Sequence, residues 1–420
     1  MRILKSSIFL ALSTLVKLLL GIVSIKVIIY YLGSSGLGQL GQFMSLMSLI
    51  ATTAAGGISN GIISKISSQK EDGLAIKKIL SAGFVVGVFF SIFLGLTLLF
   101  FSNQISFILF KSIKYSLIIK ILSLFQIFNV FNVLYAGYLN GLQKSFLFSL
   151  ITVISSFLGT IGLAVLIYFG KLYGAMLGLI WMSVTPGLLF SIILTVKYYQ
   201  GNRFILFSLV NKQEVHSLLK YSTMLIVSSC LMPLLQVLVR NILFEKTNDW
   251  TDVGFFQATL KLSESGLIVL NVIMVNYFLP ELGKCINITE VKKIINNTYL
   301  ILVPVLFIYV MFIRIFSNVL IRILFDDTFL IIKDFIVIQA LGDAFKILSL
   351  VFGFLIVLKE EIKIYVIFEM IIFSMIVLLS LFLIPKYGVI GANYAYTISY
   401  IVFFSLGRIY LRTYLKTYKC

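Results

Sequence analysis

The sequence predicts an all-α polytopic membrane protein, with twelve transmembrane helices in two six-helix pseudo-repeat lobes around a central cavity. Three observations predict it. Hydrophobic residues make up 60% of the 420 and charged residues 12%, against about 45–50% and about 25% in ordinary soluble domains. Apolar runs repeatedly reach the ~20 residues that a helix needs to cross ~30 Å of hydrocarbon, and mean hydropathy is +1.08. Segments of the two halves also resemble each other at a nearly constant displacement.

Apolar runs read against their polar breaks place the spans at about 6–31, 40–63, 79–101, 118–140, 147–169 and 175–196. The second set falls at 221–244, 254–280, 294–315, 334–357, 364–384 and 389–411. MRILKSSIFLALS opens like a signal peptide, but its apolar stretch runs on to about Tyr31 and no A-x-A site follows. It reads as an uncleaved first span. An even number of spans puts both termini on one side. Twenty of the thirty-four Lys and Arg lie on that side, nine on the other and five inside spans, so the positive-inside rule makes both termini cytoplasmic. Every loop is short. The longest, 197–220, divides an N-terminal lobe (1–196) from a C-terminal lobe (221–420) and is too small for a catalytic domain.

The net charge of +18 has a topological cause, because the cations sit mostly between apolar runs. They are not clustered with aromatics on one element as a nucleic-acid face requires. Cys230, Cys285 and Cys420 have the spacing of neither a metal site nor a disulfide framework. The single histidine, His216, lies in a polar linker and reads as surface.

The repeat has a displacement of about 215. LKSSIFLALS (4–13) resembles LKYSTMLIVS (219–228), Gly38 matches Gly254, and YAGYL (135–139) lies over VFGFL (351–355). KLYGAMLG (171–178) resembles PKYGVIGA (385–392) at a displacement one or two shorter. Six spans per half make this a parallel repeat, an arrangement that favours a transporter in which two bundles rock about a site.

Charges inside spans are Lys17, Lys26, Arg240, Lys261, Glu264, Asp343, Lys346 and Glu369. Gln257, Lys261 and Glu264 stand at i, i+4 and i+7; Gln339, Asp343 and Lys346 repeat that spacing with the signs reversed. At 100° per residue each set forms one stripe. Ser6, Ser13, Lys17 and Ser24 form another, and Ser45, Ser48, Thr52 and Ser59 a fourth. Polar stripes on several spans most economically line one cavity, and intramembrane ionisable groups are functional by default. The competing reading is that Lys261 with Glu264, and Asp343 with Lys346, are i, i+3 pairs that neutralise each other, while Lys26 and Arg240 snorkel. The balance inside the spans is +2, which suits an anionic substrate such as a phosphate ester or diphosphate. Lys26 and Arg240 are nearly equivalent under the repeat. Pro233, midway along span seven, removes one backbone hydrogen bond and is read as a gate hinge or a tolerated kink.

With these residues in view, the chain resembles the multidrug/oligosaccharidyl-lipid/polysaccharide exporter superfamily. The likeness is to its bacterial polysaccharide flippases, the branch of O-antigen and enterobacterial common antigen synthesis. The stretches that carry it are STLVK (13–17), LGSSGLG (32–38), WTDVGFFQ (250–257), QALGDAFK (339–346) and YGVIGANYAYTISYIVFFSL (387–406). Loop 102–117 matches less closely.

The resemblance implies two six-helix lobes and alternating access, with transfer of an undecaprenyl-pyrophosphate-linked oligosaccharide from the cytoplasmic to the periplasmic leaflet of the inner membrane. It places Lys17, Gln339, Asp343 and Lys346 at family-like positions. On this reading Lys17, Lys26, Arg240, Lys261 and Lys346 are the substrate-binding cations. Glu264, Asp343, Gln257 and Gln339 serve coupling or line the cavity. No cofactor is expected beyond a coupling ion, proton or sodium. The expected partners are the lipid-linked glycan, the bilayer, and a polysaccharide polymerase with its chain-length regulator.

Rival readings are a small-molecule antiporter of the same fold, which wants a carboxylate-rich cavity, and a membrane polymerase or glycosyltransferase, for which the outward loops are short. An intramembrane protease would need a Ser/His dyad or paired Asp residues within spans. A channel accounts less well for the repeat and the paired charges.

Overall fold

The computed structural model describes residues 2–69, 72–199, 210–274, 278–283, 288–358 and 361–417. Residues 200–209 of the expected linker, Cys285 and Cys420 lie outside the described residues. Among the described residues all regular structure is helical. In chain order the helices are α1 (Arg2–Thr53), α2 (Ser59–Ser68), α3 (Gly73–Phe100), α4 (Ser102–Phe110), α5 (Ser116–Phe125), α6 (Phe128–Gly141) and α7 (Ser145–Tyr199). They continue as α8 (Lys212–Thr247), α9 (Trp250–Ile273), α10 (Leu279–Gly283), α11 (Ile288–Leu324), α12 (Lys333–Leu358), α13 (Ile362–Tyr387) and α14 (Val389–Thr417).

Two of these are too long for one crossing. At 1.5 Å per residue, α1 and α7 would extend roughly 80 Å, far beyond a ~30 Å hydrocarbon core. Each is two helices joined at a sharp bend, at Gly33 (φ 62°, ψ −165°) and at Lys171 (φ 46°, ψ −123°). Seven described helices are long and apolar enough to cross a membrane, and eight if α5 and α6, bent by 41°, count as one span. Helices α8 and α9, which carry Arg240, Lys261 and Glu264, are not among the seven. The protein is a multi-pass membrane protein. The expected loop 102–117 is largely α4 followed by a 3₁₀ turn, and the expected loop 316–333 is the end of α11 followed by a 3₁₀ turn over Asp327–Ile332.

Two compact units divide the chain: residues 1–33 with 40–234, and residues 34–39 with 235–420. The second boundary falls inside α8, directly after Pro233 and Leu234, rather than in the 197–220 linker. The described end of that linker is already helical and belongs to the first unit. Leu218 is buried in a cluster with Ile62, Ile66, Ile79 and Leu134, and Glu214 pairs with Lys65. Small residues bring the helices of this cluster together: a side chain at Gly137 or Gly141 would press into Ile62 or Ile66. In the second unit, Gly38 and Gly254 pack reciprocally. A Cβ on Gly38 would collide with the backbone at Trp250 and Gly254, and one on Gly254 with that of Ser34.

The repeat is written in the backbone. Positive φ recurs at Gly33 and Asn248, and again at Lys171 and Gly388. Three residues after the latter pair, Gly174 and Gly391 meet the carbonyl groups of Leu166 and Leu383 so closely that a Cβ would collide at both. These contacts put the C-terminal part of the repeat in register at an offset of 217. The KLYG/PKYG likeness suggests an offset three residues shorter and is corrected by them.

Candidate functional site

The second unit holds a polar cluster built from six helices, α8, α9 and α11 to α14. Its centre is Asp343 of α12, which is 0% exposed. Its two carboxylate oxygens accept from Ser263 Oγ of α9 at 2.8 and 2.7 Å. Tyr396 of α14 donates at 2.9 Å and Tyr309 of α11 at 3.3 Å. Gly342 allows Tyr396 to lie flat against α12, since a side chain there would meet its ring. Two further bonds hold α14 to α12: Asn393 Nδ2 to the Phe335 carbonyl and Thr397 Oγ1 to that of Ile338, at 2.9 and 2.7 Å.

Hydroxyl groups can donate to an ionised carboxylate or, by rotating, accept from a protonated one. The shell around Asp343 therefore serves both protonation states. It is a closed shell; Asp343 does not open onto solvent. Nor does it pair directly with Lys346, whose Nζ lies instead over the rings of Tyr400 and Tyr396, 5.6 and 6.0 Å from their centroids.

The α9 stripe divides. Lys261 and Glu264 form an ion pair at 2.7 Å, the neutralising arrangement. Gln257 accepts from Arg240 Nη2, which also reaches Gln236 Oε1 at 3.3 Å. Arg240 is 1% exposed and among the largest fully buried side chains, so it does not snorkel. Glu264 also lies within electrostatic range of Arg240 and Lys346, and Glu369 of α13 within range of Lys346. Gln339, one turn before Asp343, is 1% exposed, and neither end of its amide has a hydrogen-bond partner among the described residues.

The first unit presents a different site, a cavity of about 500 Å³. Lys17 of α1, Ser48 of α1, Asn129 and Asn132 of α6, and Ser156 and Ser183 of α7 supply its polar lining. Phe148, Ile151 and Phe190 supply apolar walls. Phe190 is held by Tyr135, ring centroids 4.6 Å apart. The serine stripe of span one splits here. Lys17 reaches the cavity, whereas Ser13 and Ser24 face Ser149 and Thr160 of α7 at 3.3 and 3.4 Å and join the two helices. Lys26 is exposed and is not part of the cavity lining. The environments of Lys26 and Arg240 therefore differ despite their near-equivalent positions.

Sequence periodicity found the stripes on α9 and α12, but it missed Ser263, Tyr309, Tyr396 and Tyr400. It also missed the polar residues of α6 and α7. The tyrosines belong to aromatic-rich apolar runs in which no charge or spacing marks them.

The model of the polysaccharide biosynthesis protein family matches residues 3–285. The chain belongs to that family. It is 24% identical over 412 residues to the lipid III flippases of Escherichia coli (strain K12) and Shigella flexneri, covering 97% of each chain. Its fold is shared with an inward-facing multidrug resistance MATE family transporter of the MOP superfamily, with a TM-score of 0.76, 16% identity, and coverage of 99% and 100% of the two chains. Lipid II flippase MurJ in an inward closed conformation gives 0.74 and 18% identity over 97% of this chain and 87% of that one. These relatives are flippases and transporters rather than enzymes.

Proposed function

We propose that this protein is a flippase. It carries an undecaprenyl-pyrophosphate-linked oligosaccharide repeat unit, of O-antigen or enterobacterial common antigen type, from the cytoplasmic to the periplasmic leaflet of the bacterial inner membrane. It works by alternating access, with both termini cytoplasmic, and hands its cargo to a polymerase with its chain-length regulator. The observation that carries this reading is the correspondence with lipid III flippases along 97% of the chain. The cationic balance inside the spans supports an anionic cargo and weighs against a cation-exporting antiporter of the same fold.

Coupling to a proton or sodium ion belongs to this proposal, with Asp343 as the coupling group. Its hydroxyl shell accommodates a change of protonation without rebuilding the packing. Arg240, Lys261 and Lys346 supply positive charge for the diphosphate, and Pro233, beside the boundary between the units, is the proposed hinge.

The test is deletion of the gene in its native host. Surface polysaccharide should fall and finished lipid-linked units should accumulate on the cytoplasmic face. Units that reach the periplasmic face but stay unpolymerised would sink the reading. Complementation with Asp343→Asn tests coupling: transport should lose its dependence on the ion gradient, and an unchanged dependence would remove Asp343 from that role.

A further inference from the structure

The cavity of the first unit has the chemistry of a sugar subsite. Its volume of about 500 Å³ lies within the usual ~300–1,000 Å³ of small-molecule pockets. Its lining combines polar and apolar groups, which a pyranose ring requires, since the ring presents hydroxyls at its rim and C–H groups on its faces. Asn129 is only 5% exposed and lines the cavity, yet its side-chain amide has no hydrogen-bond partner among the described residues. Its polar atoms are not sealed in protein and keep access to the cavity, where a ligand hydroxyl can take the place of water as their partner. Asn132, one turn along α6, adds a second amide without a side-chain partner among the described residues. An Asn offers one acceptor and two donors, which suits vicinal hydroxyls. Ser155 and Ser156 donate to the Thr152 carbonyl at 3.0 and 2.7 Å and keep acceptor lone pairs. Phe148 and Phe190 provide the apolar wall.

One charge stands in this neutral lining. Lys17 makes no hydrogen bond or ion pair among the described residues, and no carboxylate is among the residues of the cavity. We propose that this cavity binds one sugar ring of the transported glycan, and that Lys17 selects a ring bearing an acidic group. The proposal deepens the flippase reading and rests on it. It separates the recognition of the glycan, in the first unit, from the charged cluster of the second.

Labelling of a reporter cysteine in the full-length protein tests it. With Cys230, Cys285 and Cys420 replaced by Ser, Ser156→Cys is treated with a small maleimide in the presence of glucuronate, glucose or inorganic pyrophosphate. Asn132→Cys serves as a second reporter should the first variant fold poorly. Glucuronate should slow labelling at concentrations about tenfold below those of glucose, the factor set by one charge-assisted hydrogen bond. Adding Lys17→Gln should abolish that preference and leave protection by glucose intact. Labelling unaffected by either sugar would overturn the proposal. So would protection by pyrophosphate at concentrations below those of glucuronate, which would make this a phosphate site. Gene deletion keeps the two readings apart. Protection by glucuronate with no trapping of lipid-linked units would leave the sugar site standing without the flippase. Trapping without protection would do the reverse.

Discussion

The two units repeat one backbone plan but fill it with opposite chemistry. The 217-residue offset set by Gly174 and Gly391 is matched by the ends of α6 and α12 at Gly141 and Leu358, and is one residue longer than the YAGYL/VFGFL likeness suggests. At this offset Gln126 of the first unit corresponds to Asp343 of the second, and Asn129 to Lys346. A neutral pair in one copy is a charged pair in the other. Gln126 closes a small loop of two bonds: its amide donates to the Ser91 carbonyl, and Ser91 Oγ donates back to it at 3.0 Å. Asp343 instead gathers hydroxyls from three helices. The difference teaches that the spacing was kept while the task changed. Around Asn129 the polar groups are left open toward a cavity, whereas the carboxylate of Asp343 is satisfied by the protein itself.

Substitution at the paired positions is the strongest way to break this comparison. Asp343→Ala leaves the Ser263, Tyr309 and Tyr396 hydroxyls buried without their acceptor, each costing about 1–3 kcal/mol. The thermal midpoint in detergent should collapse. Asp343→Asn keeps one acceptor oxygen and should lose roughly half as much. In the first unit Gln126→Leu strands only Ser91, so its loss should be the smaller of the two. Equal losses at Gln126 and Asp343 would mean that the second unit is not organised around its carboxylate.

The offset itself can be tested by a matched pair. Gly174→Val and Gly391→Val both drive a side chain into a neighbouring carbonyl, and each should cost about 1–3 kcal/mol or prevent insertion. Gly170→Val is the control, because a Cβ there meets nothing within 4 Å. If Gly170→Val were as damaging as Gly174→Val, the close approach would not be what ties the two copies together.

How much of this was legible beforehand depends on the range of the interaction. Helices and apolar runs were legible because both are set by residues near in sequence. The Gln257–Glu264 and Gln339–Lys346 stripes were legible because helical period alone puts three polar groups on one face. The partners across the stripe were not. The i, i+3 spacing brings Lys346 near Asp343, but Ser263 and Tyr396 arrive from other helices and take the carboxylate first. Lys261 and Glu264 do pair as their spacing suggests. The repeat register failed for a related reason. KLYG and PKYG align by identical letters, while the feature that recurs is a positive φ, borne by Lys171 in one copy and Gly388 in the other.

The smallest expected effect concerns what joins α1 to α7 in the first unit. Ser13 meets Ser149, and Ser24 meets Thr160, at one constant separation in sequence. This is a zipper of small hydroxyls of the kind that lets transmembrane helices approach closely. Such bonds are worth about 0.6 kcal/mol each, because a helix in lipid finds other partners when one is removed. A double-mutant cycle of Ser13→Ala and Ser149→Ala, read by unfolding in detergent, should return a coupling of about that size. The stability of α1 against α7 then comes mainly from packing, and Lys17, one turn beyond Ser13, is held over the cavity by the helix rather than by a bond of its own. A coupling several times larger would reverse that conclusion. The zipper would then set the position of Lys17, and Ser13→Ala should weaken binding of an acidic sugar as well as stability.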